Sequence, residues 1–142
     1  MLRRSSKGFT LVELLVVIAI IGLLASVIVV SVSSARAKSR DGKRISEMRS
    51  IQTAIELYKD ASSGDAPDAD DYATLDDDLV PTYLGLMPAD PGNNTYTYSN
   101  ADDDDDYYVG FTTEQASSLG AAGDYCINSV SIEAEGAGCV ER

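Results

Sequence analysis

Residues 9–30 read FTLVELLVVIAIIGLLASVIVV, an apolar run of 22 residues that contains one charged side chain, Glu13. At about 1.5 Å per residue, a helix of this length covers about 33 Å, which is enough to cross the hydrocarbon core of a bilayer. The run therefore predicts a membrane-spanning helix close to the amino terminus.

The segment that precedes this run, MLRRSSKG at residues 1–8, is basic and ends in Gly8. An ordinary secretory signal places its small-residue cleavage site after the apolar segment. Here the small residue comes before that segment, and no clear A-x-A site follows it. The leader is therefore not that of an ordinary secreted protein.

The junction GFTLVE at residues 8–13 resembles the class III signal of type IV prepilins and type II secretion pseudopilins. The resemblance implies cleavage between Gly8 and Phe9 by a prepilin peptidase, N-methylation of Phe9, and retention of the apolar helix. It also implies further partners, namely identical and related pilin subunits, an inner-membrane assembly platform and membrane lipid.

Glu13 is a candidate assembly residue, because ionisable side chains inside a membrane helix are costly and are functional candidates by default. After cleavage, the Phe9 amine of a neighbouring subunit could neutralise the Glu13 carboxylate and set the register of polymerisation. The resemblance implies the same role. The alternative is that Glu13 lies near the interface and reaches the lipid headgroups.

Charge is distributed unevenly along the 142 residues, whose formal net charge is −12. Residues 31–59 carry seven basic and three acidic side chains, whereas residues 60–142 carry nineteen acidic side chains and one basic side chain, Arg142. So acidic a segment is not expected to bind nucleic acid directly.

Catalysis by this chain is not expected either. The sequence contains no histidine, which removes the commonest general base, and we predict no enzymatic activity. A membrane-tethered domain that does not polymerise is a further alternative. Such a domain would have no need for Gly8 or Glu13, so deleting the leader or replacing Glu13 would discriminate between the two.

A helical stripe continues beyond the membrane run. Apolar residues recur at spacings of three and four and predict one buried helix face: Ile45, Met48, Ile51, Ile55 and Tyr58. The residues between them, including Arg44 and Glu47, are expected on the other faces. No proline lies between Phe9 and Lys59, so we predict one continuous helix over that range.

Further elements follow this helix. A second short helix is expected to include Leu75 and Leu79, and three strands are predicted from alternation and β-propensity: Thr95–Tyr98, Tyr107–Thr112 and Tyr125–Ser131. The predicted fold class is α+β, in which a long helix, half membrane and half amphipathic, packs against a small antiparallel sheet in a pilin-like lollipop. The predicted divisions are a leader (1–8), an assembly helix (9–30), an amphipathic half (31–60) and an acidic head (61–142).

The soluble part resembles the major pseudopilin of type II secretion systems, notably at LVPTYL (79–84), MPADP (87–91) and YTY (96–98). Two features depart from that family. Val30 stands where these proteins usually have a helix-kinking proline. Cys126 and Cys139, the only cysteines, are similar to the pair that forms the C-terminal disulfide loop of true type IV pilins. A pseudopilin in protein secretion and a pilus subunit in adhesion, motility or DNA uptake are therefore both open.

Five consecutive aspartates at residues 102–106 form a candidate calcium site. Ca²⁺ takes six to eight oxygen ligands, and alternate residues of an extended segment point the same way, which favours Asp102, Asp104 and Asp106. The resemblance adds that major pseudopilins bind Ca²⁺ in a loop of their sheet region. The alternative is a solvated acidic loop.

Localisation follows from the resemblance and from the cysteine pair, because disulfides persist mainly outside the cytoplasm. Basic residues on both sides of the apolar run leave the positive-inside rule undecided. We expect a single-pass protein of the bacterial inner membrane with its head outside the cytoplasm, and a periplasmic or cell-surface filament after assembly.

Overall fold

The computed structural model describes residues 8–100 and 106–134. Its first element is the helix α1, Leu11–Ala61, which is 51 residues long and passes through Val30 without interruption. The predicted continuous helix is confirmed, although it begins and ends two residues later than expected. It includes an 18-residue window with a mean hydropathy of 3.1, long and apolar enough to cross a membrane.

The chain divides into two compact units, Met1–Arg36 and Ala37–Arg142. In the first unit, the apolar side chains of α1 are exposed, from Leu11 at 78% to Val29 at 68%. Such a surface needs a cover of lipid or of other apolar helices. The second unit contains the remainder of α1 and all the other elements. The finer division at residues 8, 30 and 60 stays a prediction.

α1 ends in a turn of left-handed backbone. Ser63 has φ of 66° and Gly64 has φ of 110°, and the Gly64 amide donates to the Lys59 carbonyl over 2.9 Å. A residue in this conformation satisfies the last carbonyls of a helix and turns the chain away from the axis. The polar stretch that follows leads into α2, Leu75–Leu79.

The sheet is an antiparallel meander of four strands in the order β1-β2-β3-β4. The strands are β1 (Thr97–Asn100), β2 (Tyr107–Thr113), β3 (Gly123–Ile127) and β4 (Ile132–Ala134). Two of the predicted strands are recovered, the first of them shifted by two residues and the second extended by one.

The third predicted strand, Tyr125–Ser131, is correct only for its first three residues, which belong to β3, because the chain turns after Ile127. The Asn128 side-chain oxygen accepts hydrogen bonds from the amides of Val130 (2.9 Å) and Ser131 (2.8 Å). Asparagine side chains stabilise turns in this way. The turn ends β3 at Ile127 and returns the chain as β4, so that Ile127 pairs with Ile132.

The core of the second unit lies between the sheet and α1. Met48, Ile51 and Ile55 of the predicted stripe are fully buried, whereas Ile45 and Tyr58 are half-buried at its edge. They pack with Leu75 and Leu79 of α2. They also pack with one face of the sheet, which contributes Tyr98, Tyr107, Val109, Phe111, Tyr125 and Ile127. The predicted role of the stripe as core is confirmed, as is the α+β class.

Candidate functional site

The N-terminal end of α1 holds the predicted processing and assembly residues. Gly8 and Phe9 precede the helix and are exposed, and no described residue beyond the chain neighbours approaches within 4 Å of the position that a Cβ on Gly8 would occupy. The peptide bond between them is therefore accessible and lies outside the hydrogen-bonded helix. Both properties suit a bond that a peptidase must bind in an extended conformation.

Glu13 forms a capping box with Thr10. The Glu13 Oε2 atom accepts hydrogen bonds from the Thr10 amide (2.9 Å) and the Thr10 hydroxyl (2.7 Å). In return, the Glu13 amide donates to Thr10 Oγ1 over 3.2 Å. This reciprocal arrangement satisfies N–H groups that have no partner within the helix. Glu13 was predicted as an assembly residue but not as part of a capping box, although T-x-x-E before an apolar run is the signature of a capping box.

The geometry leaves half of the Glu13 carboxylate available. Both contacts with Thr10 use Oε2, and Oε1 accepts no hydrogen bond from the described residues. A carboxylate has about four lone-pair positions, so it can cap its own helix and accept a further bond at the same time. The positive end of the helix dipole favours an anion at this position.

A second polar cluster lies inside the second compact unit, Ala37–Arg142, which we call the head unit or head from here on. The cluster is centred on Arg44, whose side chain is fully buried. Arg44 Nε and Nη2 donate to the two oxygens of Asp90 over 2.5 and 2.9 Å, while Nη1 donates to Asp41 (2.7 Å) and Glu114 (2.8 Å). Arg40 pairs with both oxygens of Glu114. The prediction that Arg44 lies on a helix face other than the buried one is wrong.

Asp41 extends this cluster to the backbone. Its carboxylate, which is 2% exposed, accepts hydrogen bonds from the amides of Glu114 (2.9 Å) and Gln115 (2.8 Å). Two residues of α1, Asp41 and Arg44, therefore hold the chain just beyond β2 and the loop that contains Asp90. Buried charges need such complete pairing, because an unpaired one is costly.

The charges in this cluster stabilise one another. The pKa of Glu114 falls to about 2, chiefly because Arg40 donates to its carboxylate, with a further contribution from Arg44. Hydrogen bonds from Arg44 also lower the pKa of Asp90, and the same contact is the main reason that the pKa of Arg44 is raised. All three groups are therefore ionised at neutral pH, and none is suited to transferring protons.

Comparison with known proteins bears on both sites. Residues 3–29 match the family described as "Prokaryotic N-terminal methylation motif". The type II secretion system core protein G of Escherichia coli (strain K12) is 32% identical over 111 residues, which cover 66% of this chain and 72% of that protein. The chain belongs to the core protein G family. It is thus a pseudopilin, and its family consists of structural subunits.

A further core protein G and a fimbrial protein are also similar to this pseudopilin. The type II secretion system core protein G of Vibrio cholerae (strain El Tor Inaba N16961) is 29% identical over 116 residues, covering 70% of this chain and 75% of the relative. A fimbrial protein of Pseudomonas aeruginosa is 38% identical over 53 residues, but these cover only 37% of this chain and 34% of the fimbrial protein. No solved structure matches the chain.

Two of the predicted sites of the pseudopilin fall partly outside the described residues. Cys126 is buried in β3, but Cys139 lies beyond the described range, so the disulfide stays a prediction. Asp102 and Asp104 also lie outside that range. Asp106 is described, and its Oδ1 atom accepts hydrogen bonds from the Tyr107 amide (3.0 Å) and from Ser129 (3.4 Å). Among the described residues, no three acidic, histidine or cysteine side chains group as a metal site.

Proposed function

We propose that this pseudopilin is cleaved after Gly8 by a prepilin peptidase, N-methylated on Phe9, and polymerised through α1 into the filament of a type II secretion system. The main support is the similarity to core protein G over 111 residues, together with the methylation motif at residues 3–29. The exposed, non-helical Gly8–Phe9 bond is consistent with processing at that position.

Glu13 would direct this assembly through its unused oxygen. Cleavage frees the Phe9 amine, and the amine of a neighbouring subunit can donate to Glu13 Oε1 while Oε2 keeps its bonds to Thr10. The pairing neutralises two charges in apolar surroundings. Its value lies in fixing register rather than in raw stability, because buried ion pairs specify geometry better than they stabilise.

During assembly, the apolar part of α1 would move from contact with lipid to contact with neighbouring helices. Its side chains are exposed in the isolated subunit, from Leu11 to Val29, and in the inner membrane lipid covers them. When the assembly platform extracts the subunit, the corresponding helices of neighbouring subunits provide an equivalent environment. In the orientation that we propose, the leader is cytoplasmic and the head lies outside the cytoplasm.

Intact-mass spectrometry tests the processing. The membrane fraction of a host with an active prepilin peptidase should contain a chain of residues 9–142 whose Phe9 amine carries one methyl group. The Gly8→Phe variant provides a control, because it should remain at its full length. If the unsubstituted chain is found only as residues 1–142 in such a host, the proposed processing is wrong.

A pilus subunit is the second candidate, favoured by one observation, the 53-residue match to a fimbrial protein. The two roles predict different phenotypes when the gene for this chain is deleted from its host. A secretion pseudopilin leaves exoproteins trapped in the periplasm with surface pili unchanged, whereas a pilus subunit leaves secretion intact and removes the pili.

A further inference from the structure

The outer face of α1 within the head unit is not covered by any described part of the chain. Residues spaced by three and four along this face are all exposed: Ser39, Gly42, Ser46, Ser50, Thr53 and Leu57. Most of these side chains are small, and they leave a shallow cavity of about 400 Å³ along residues 42–53. We call this surface the outer face.

Cations stand at both edges of the outer face. Lys38 and Arg49 lie three helical turns apart on one edge, and Lys43 lies on the other. Lys43 is 3.3 Å from Glu47, but its side chain is still 58% exposed. Lys38 and Arg49 make no ion pair with any carboxylate in residues 8–100 and 106–134. The neighbouring Arg40 and Arg44, by contrast, are committed to the internal cluster.

The opposite charge is concentrated elsewhere on the same chain. Residues 60–78, which we call the acidic segment, contain eight aspartates and no lysine or arginine. Five of these aspartates are exposed between residues 68 and 77, and none forms an ion pair within the described residues: Asp68, Asp70, Asp71, Asp76 and Asp77.

The acidic segment is held in a fixed shape. Leu75 and Leu79 anchor α2 in the core, and the Tyr98 hydroxyl donates to the Pro67 carbonyl over 2.7 Å. The Asp71 carboxylate accepts the amides of Ala73 and Thr74 at 2.9 Å. A preorganised surface of this kind loses little entropy when it binds a partner.

We propose that the outer face binds the acidic segment of a neighbouring copy of this chain. The inference rests on the proposed assembly into a filament. Its basis is charge complementarity: the unpaired cations Lys38 and Arg49 lie along one edge of the shallow cavity, and the acidic segment presents unpaired carboxylates in a fixed arrangement. Since the two surfaces differ, the contact is heterologous, and a heterologous contact whose rotation does not close into a ring builds a filament.

The alternative occupant is a membrane surface with anionic headgroups, which the same cations could bind. A second copy fits better, because polymerisation brings together acidic subunits: removing the three basic residues of the leader takes the side-chain charge from −12 to −15. Docking the acidic segment against Lys38 and Arg49 turns part of that repulsion into attraction. Lipid binding would leave the acidic segments facing one another uncompensated.

Reciprocal charge reversal tests the contact in the full chain, co-expressed with its secretion machinery. One variant combines Lys38→Glu with Arg49→Glu, and the other combines Asp76→Lys with Asp77→Lys. Like charges placed opposite each other across an interface cost several kcal/mol, so each variant alone should lower the sedimentable filament fraction about tenfold or more. Expressed together, they should restore filaments, since each reversed surface then meets its complement.

Two controls accompany the reversals. Asp124→Lys with Glu133→Lys changes the net charge as much as the acidic-segment variant does, but outside both surfaces, and it should assemble normally. A photo-crosslinking amino acid at position 46 should capture a neighbour's peptide from residues 60–78, identified by mass spectrometry after cleavage at aspartate. This capture is measured on chains without charge reversals, so it does not depend on whether the reversed variants fold.

Each result decides the proposal. Normal filaments from both reversed variants, or crosslinks that avoid residues 60–78, would overturn it. A loss confined to the Lys38→Glu/Arg49→Glu variant that co-expression does not restore would assign the outer face to anionic lipid instead. If the unsubstituted, processed chain forms no filament, the proposed function fails and this contact fails with it.

Discussion

Arg44 Nε lies 2.5 Å from Asp90 Oδ2, and this contact joins α1 to a loop 46 residues further along the chain. The Asp90 side chain is 1% exposed and that of Arg44 is inaccessible to solvent. Asp90 also accepts a hydrogen bond of 2.7 Å from the Gly92 amide, which shapes the loop around the guanidinium. A Cβ on Gly92 would lie 2.8 Å from Arg44 Nη2, so any other residue there would displace the guanidinium from its contact with Asp90.

Replacing Arg44 with methionine should destabilise the head strongly. The substitution leaves Asp41 and Asp90 buried without their cation, and breaking a buried pair in this way costs about 3–5 kcal/mol. Denaturant unfolding of the detergent-solubilised chain, followed by tyrosine fluorescence, measures the loss. Arg49→Met is the matched control on the exposed face and should change the free energy of unfolding by about 0.5 kcal/mol or less. Equal losses in the two variants would contradict the assignment.

Glu114 should make the head sensitive to acid. Its pKa is about 2 in the folded chain, below the ordinary value of 4.5, so the folded state favours the ionised form. The stabilisation is therefore complete above about pH 4.5 and is lost as the pH falls towards 2.

The Glu114→Gln variant isolates this contribution from the other carboxylates. The difference in free energy of unfolding between the natural chain and the variant should be constant from pH 5 to 7 and should shrink below about pH 4.5. Unfolding titrations at each pH supply the measurement. A difference that does not change with pH would show that Glu114 contributes packing rather than charge.

Two substitutions at Glu13 separate charge from capping. Glu13→Gln keeps an acceptor for the Thr10 amide, as glutamine does in capping boxes, but removes the charge, whereas Glu13→Val removes both. We expect both variants to insert into the membrane and both to lose filament assembly, because the Phe9 amine has lost its counter-charge. Val12→Ala is the control at a neighbouring exposed position. Normal assembly of the glutamine variant would show that capping alone is sufficient.

The Cys126–Cys139 disulfide is expected to close a loop of about 14 residues and to stabilise the head by roughly 3 kcal/mol in the chain-entropy model. Thiol labelling of protein from the periplasmic face, with and without reductant, tests for the bond. Labelling of both cysteines without reductant would rule it out. Cys139→Ser then measures its contribution to the free energy of unfolding.

Calcium is expected to bind at Asp102, Asp104 and Asp106 and to raise the melting temperature of the head. Five adjacent carboxylates repel one another, and Ca²⁺ accepts irregular oxygen ligands more readily than Mg²⁺ does. The response to Ca²⁺ should exceed that to Mg²⁺ or to sodium chloride at the same ionic strength. Asp104→Asn with Asp106→Asn should abolish it, and equal stabilisation by sodium chloride would indicate a solvated acidic loop.

Local pattern predicted most of the fold. Hydrophobic periodicity predicted α1 and its buried stripe through Met48 and Ile51, and β-propensity predicted strand β2. Each of these features depends on residues close in sequence. The turn at Asn128 was missed, because the flanking residues keep their β-propensity through it and only the asparagine side chain distinguishes turn from strand.

Arg44 shows why the site was harder to predict. Arg44 lies four residues before Met48, so the helical periodicity alone would place it on the buried stripe. Arg44 was nevertheless predicted on another face of the helix. Its burial requires partners, and these come from Asp90 and Glu114, 46 and 70 residues away. Pairing at such a distance depends on the tertiary fold rather than on local sequence.

The bonds that Asp41 and Arg44 make with the rest of the head also have a mechanical consequence. In the assembly that we propose, a subunit extracted from the membrane is pulled along α1, and the contacts between α1 and the rest of the head unit transmit that force. The contacts to Asp90, Glu114 and the Gln115 amide link Asp41 and Arg44 to two separate parts of the chain outside α1, so sliding α1 out of the head requires all of them to break. These bonds therefore resist separation of α1 from the rest of the head unit under load.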